Sequence, residues 1–95
     1  MDVVIAIDAE GLKDEAAFVT HLTSEGFEEV PDEEGMVFMG VSQTPVMHTR
    51  AYIFEVVGKA LELSPAVFCN LVCLIGENPM ESYRFNGQTS TFEEA

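Results

Sequence analysis

The sequence predicts a single α+β domain in which a four-stranded antiparallel sheet carries two helices on one face. Three observations predict it. Short apolar runs with strand-like alternation occupy Val3 to Ile7, Phe27 to Val30, Met36 to Ser42 and Val67 to Ile75. Segments of helical period separate the first run from the second and the third from the fourth. The chain has 95 residues, which is enough for one core and leaves no room for a second.

Each element has its own signals. In the first strand Val3, Ile5 and Ile7 point one way and Val4 and Ala6 the other, with Asp2 and Asp8 at the two ends. Asp8-Ala-Glu-Gly11 leads into a helix whose apolar positions are Leu12, Ala16, Val19 and Leu22. Gly26 followed by Phe27 predicts its end, with glycine in the left-handed conformation and the aromatic ring folding back. Pro31-Asp-Glu-Glu-Gly35 is turn chemistry, so the next two runs form a hairpin with Asp32, Glu33 and Glu34 at its tip. Glu28 and Glu29 precede that tip and add to a negative knob, which also protects the sheet edge from pairing with other chains.

Thr44 before Pro45 predicts a capped second helix, because proline at the first helical position sacrifices no hydrogen bond. Val46, Ile53, Val57, Ala60 and Leu61 form its buried stripe, while His48, Tyr52, Glu55, Lys59 and Glu62 follow another face. Glu55 and Lys59 are spaced for an ion pair, and Ser64-Pro65 ends the helix. The run from Val67 to Ile75 is apolar on both faces, so both faces require cover. Ser82 to Asn86 allows a short fifth strand, and residues 87–95 read as a polar, flexible C-terminal tail to a domain spanning residues 1–86.

Two interleaved βαβ units in this order give the ferredoxin-like βαββαβ sandwich. Two helices cover one face of such a sheet. Val4, Ala6, Phe38, Phe68, Val72 and Leu74 are assigned to the other face, and pairing with a second copy buries them. A homodimer is therefore expected, with these six residues at its interface.

Charge narrows the function. Seventeen acidic residues against Lys13, Arg50, Lys59 and Arg84 give a net charge of −13, which disfavours direct binding to nucleic acid and favours a basic protein partner or divalent cations. No apolar run approaches the roughly 20 residues of a membrane helix, and no basic stretch followed by an apolar one marks a secretory signal. The expected location is cytoplasmic. Cys69 and Cys73 are four apart on one strand, about 13 Å at 3.3 Å per residue, too far for a disulfide, and read as small buried apolar residues.

The element order, Asp8 closing Val3-Val-Ile-Ala-Ile7, Gly26 ending the first helix and a short extra strand near Tyr83-Arg-Phe85 resemble the small ferredoxin-like proteins of the CRISPR adaptation, VapD and GhoS group. The resemblance implies dimerisation through the sheet. It also implies a metal-dependent endoribonuclease centred on Asp8, although the arginines after the first strand that would hold nucleic acid are missing.

Asp8 with Glu10 two residues on is also the residue pattern that holds Mg²⁺ across a two-fold axis, and equally one that leads into a helix. His21 and His48 are proton-transfer residues by type, and neither has a partner in sequence. No nucleophile elbow, phosphate loop, metalloprotease helix or calcium loop occurs. The reading favoured from sequence is a non-enzymatic acidic dimer that binds a basic protein as an antitoxin or inhibitor does, by imitating nucleic acid. Its partner surface comprises Glu28, Glu29, Asp32, Glu33, Glu34, His48, Tyr52 and Glu55. The alternatives are the endoribonuclease and a small-molecule sensor of the ACT type.

Overall fold

The computed structural model describes residues 1–31 and 35–95. The elements are β1 (Asp2–Glu10), α1 (Glu15–Ser24), β2 (Glu28–Glu29), β3 (Met36–Val41), α2 (Val46–Leu63), β4 (Phe68–Ile75), β5 (Glu81–Asn86) and β6 (Thr91–Glu94). They form one open antiparallel sheet in the order β2-β3-β1-β4-β5-β6. The sheet has six strands rather than the expected four. The segment expected to be a flexible tail is β6, paired with β5.

An aromatic cluster explains the extension. Phe54 of α2 meets Tyr83 of β5 edge-to-face at 4.7 Å and stacks with Phe92 of β6 at 5.1 Å, and Phe85 lies 5.1 Å from Phe92. Such pairs add about 0.5–1.5 kcal/mol each beyond area burial, enough to hold a polar four-residue strand. The C-terminal end is anchored by one ring.

Parity along the strands assigns the faces. Val3, Ile5 and Ile7 of β1, with Cys69, Leu71, Cys73 and Ile75 of β4, are buried beneath Phe18 and Leu22 of α1 and Ile53, Val57, Ala60 and Leu61 of α2. Phe18 takes the place in the α1 stripe that the periodicity assigned to Ala16, which is exposed. In β3, Phe38 pairs with Ile5 and Met36 with Ile7, so both belong to the helix-covered face. Phe38 is 0% exposed. Its assignment to the uncovered face is corrected: the outward residues of β3 are Val37, Met39 and Val41, because every second residue of this strand is apolar on either parity.

The helix ends are tied by local chemistry. Asp14 caps α1 by accepting from the Ala17 N–H at 3.1 Å, and its own N–H donates to the buried Ser64 Oγ at 2.7 Å, joining the start of α1 to the end of α2. At the other end Phe27 N–H donates to Leu22 O and Gly26 N–H to Thr23 O, with Gly26 at φ +101°. This double bond pattern is the predicted left-handed stop.

In α2 the cap position is Pro45 and not Thr44, and no side chain caps it. Thr44 Oγ1, Ser42 Oγ and Thr49 Oγ1 instead contact one another at 2.6–3.0 Å. The expected Glu55–Lys59 pair is replaced by Lys59–Glu62 at 3.3 Å, an exposed contact of little weight.

Replacing Phe38 by alanine is expected to lower unfolding free energy by about 3–5 kcal/mol, the cost of emptying a closed core position, in urea titrations. A loss below 1 kcal/mol would contradict the assignment of Phe38 to the core.

Candidate functional site

The sheet face opposite the helices is apolar at one end and polar at the other. Met39, Val4 and Leu74 form a cross-strand row over β3, β1 and β4, and Val37, Ala6 and Val72 form the next. Met39 and Leu74 are 46% and 42% exposed, and the four between them are half-buried. Further along, Asp8 lies opposite Asn70, which lies opposite Arg84. The Arg84 guanidinium stands 5.8 Å from the Phe68 ring, so this part of the expected interface is partly covered from within the chain. Asn70 Oδ1 is buried with no hydrogen-bond partner among the described residues.

Asp8 does not end the strand as expected, and Glu10 is not in a connecting loop, because β1 continues to Glu10 through pairing with β4 as far as Phe68. Both are exposed. Among the described residues no group of three or more His, Cys, Asp or Glu side chains converges to hold a metal ion.

A second concavity, about 470 Å³, opens where the end of α1, the end of β3 and the start of α2 meet. Its walls include Glu25, Phe27, Ser42, Thr44, His48, Tyr52 and Ile53. The stop after Leu22 turns Phe27 inward, and the absent side chain at Gly40 admits that ring: a Cβ there would lie 3.3 Å from Phe27 Cδ1. The Tyr52 ring stacks on Phe27 at 6.3 Å. Its single hydroxyl proton is shared between the Glu25 carbonyl at 2.8 Å and Glu25 Oε2 at 3.1 Å, tying α2 to the end of α1. Burial, then the hydrogen bond to the Glu25 carboxylate and the charges of Glu25 and Glu55, raise the Tyr52 pKa above its ordinary value.

Of the residues assigned to a partner surface, His48, Tyr52 and Glu55 are exposed on the same face of α2, and His48 and Tyr52 both line this groove. Glu28 and Glu29 lie on exposed β2, in a shallow depression that shares Gly26, Gly40 and Val41 with the groove. Asp32, Glu33 and Glu34 lie outside the described residues. Glu25 was missed: one glutamate before a helix-ending glycine carries no signal of its own.

Another network joins α2 to β5. Arg50 donates from Nε to Glu81 Oε1 at 2.6 Å and from Nη2 to Oε2 at 3.0 Å, and the Tyr83 hydroxyl donates to Glu81 Oε1. The bidentate pair holds Glu81 below, and Arg50 above, its ordinary pKa. Burial, followed by the bond to Glu81, pushes Tyr83 up to about 12. Burial also pushes Cys69 up to about 11 and Cys73 to about 12, so both thiols stay protonated and inert near neutrality. Sequence alone held no cue that residue 50 would face residue 81.

No protein-family model, curated protein or solved structure matches the chain.

Two measurements test these placements. Cys69 and Cys73 are expected to resist a thiol reagent in the folded protein and to react fully in denaturant; rapid labelling without unfolding would overturn their burial. Because the folded pKa of Glu81 is depressed, its contribution is complete above the unfolded value of about 4.3 and is lost as pH falls through the lower folded value. The stability difference between wild type and Glu81→Gln should therefore be about 1–3 kcal/mol near neutrality and shrink in acid. A difference that is flat with pH would remove the ion pair as its cause.

Proposed function

We propose that the protein is a small acidic binding module of ferredoxin-like architecture that pairs with a second copy through its open sheet face. Its anionic periphery then engages a basic protein, as an antitoxin or inhibitor that imitates nucleic acid. The observation that carries this reading is the pair of apolar rows Met39–Val4–Leu74 and Val37–Ala6–Val72 on the face without helices. In a chain with net charge −13, side chains of this kind are costly to leave in water, whereas the carboxylates are not. Full burial of a medium or large apolar side chain is worth about 1.5–3 kcal/mol. Met39 and Leu74 are nearly half exposed, so each has about 1 kcal/mol still to gain. Contributions from the whole patch on both copies are needed to exceed the cost of association, so one charge within it suffices to separate them.

The two contacts of this reading respond oppositely to salt. Pairing of two anionic copies is opposed by repulsion and tightens as salt shortens the Debye length from about 10 Å at 0.1 M to 3 Å at 1 M. Binding of a basic partner weakens over the same range.

Light scattering is expected to give twice the 10.4 kDa chain mass for wild type, more completely as salt rises, and the single-chain mass for Leu74→Asp. A wild type that stays single at high salt sinks the reading, as does tight binding of RNA without metal. Mg²⁺-dependent RNA cleavage lost in Asp8→Ala would transfer the assignment to the endoribonuclease.

A further inference from the structure

We propose that the groove between the end of α1 and the start of α2 receives an arginine side chain of the basic partner, an inference that rests on the binding-module reading above. The groove combines an aromatic platform, a carboxylate at its edge and an apolar floor within about 470 Å³, ample for a guanidinium and its stem. Tyr52 supplies the platform. One face of its ring is backed by Phe27, and the residue is 42% exposed. The negative face of such a ring attracts a cation.

The Tyr52 hydroxyl proton, shared between the Glu25 carbonyl and Oε2, holds the carboxylate beside the ring. Only Glu25 Oε2 is used in that tether, which leaves Oε1 free to accept from an incoming donor. Glu25 also caps the C-terminal end of α1, where the helix dipole is negative and favours positive charge. The far wall begins α2, where the dipole has the opposite sign, so the guanidinium belongs at the Glu25 end. Val41, 75% exposed on the groove wall, receives the methylene stem, and the Ser42 and Thr44 hydroxyls add neutral acceptors. Among the described residues no Lys or Arg lines the groove.

Arginine fits this surface better than lysine. Its planar group stacks on the ring and divides five donors among a carboxylate and scattered hydroxyls, whereas an ammonium is a compact and more strongly hydrated charge. Carboxylate, ring and acceptors are brought together by tertiary contact, since Glu25 and Tyr52 stand on different helices.

The test titrates the full chain with hexa-arginine and hexa-lysine peptides at moderate salt, followed by amide NMR shifts. Hexa-arginine is expected to bind several-fold more tightly, with the largest shifts at Glu25, Gly26, Gly40 and Thr44. Tyr52→Leu, which keeps apolar packing but removes the ring, and Glu25→Gln are each expected to weaken it about fivefold or more. Glu94→Gln, the same change of charge on β6 at the far edge of the sheet, should weaken it less than twofold. Equal losses for Glu25→Gln and Glu94→Gln, or no preference for arginine, overturn the groove assignment while leaving an acidic binding module intact. Binding of neither peptide overturns both. A folded amide spectrum for Tyr52→Leu with unchanged affinity also overturns the groove assignment.

Discussion

Ile5 and Phe38 face each other across β1 and β3, and both are sealed beneath the helices. Strand side chains alternate strictly, so burying this pair sends Val4, Ala6, Val37 and Met39 to the opposite surface. A slip of one residue would exchange the two sets and expose the fully buried Phe38 ring. Gly40 reinforces the register, since its place beside Phe27 accepts no side chain without displacement. The apolar outer surface is thus a geometric consequence of how the inner one is packed.

That consequence meets an unusual charge. Most of the carboxylates sit on turns, helix faces and strand edges, where water solvates them, and they leave the middle of the open face apolar. Repulsion acts over the Debye length, whereas burial of apolar surface acts only in contact. A surface of this type repels anions at a distance, while its apolar patch acts only over contact range. The polar end of the same face, with Arg84 over Phe68 beside Asp8 and Asn70, gives the patch a boundary and a direction.

Polar ties between helices and their surroundings determine where concave surface appears. Ser64 joins the two helices at one end, while Tyr52 and Glu25 join them at the other. Arg50 and Glu81 attach α2 to β5. The groove at the Tyr52 end stays open because Gly26 turns the chain sharply and Gly40 removes bulk from its wall.

Much of the fold was legible in the chain. The alternation in Val3 to Ile7, the Gly26-Phe27 stop, the exposed face through His48, Tyr52 and Glu55, and the inert cysteines all depend on neighbours within a few residues, and each reads correctly. Phe38 was misplaced because Met36 to Val41 is apolar on both parities, so only pairing with β1 distinguishes its faces. Thr44 lost the cap to Pro45 because its hydroxyl has partners in Ser42 and Thr49. Residues 87–95 read as a tail in sequence because the ring that holds Phe92 belongs to α2, far back along the chain. Local pattern specifies an element through short-range sterics and hydrogen bonds. Which side faces inward, which strand gains a neighbour and which carboxylate meets which ring depend on contacts between distant segments, and these exist only once the core has closed.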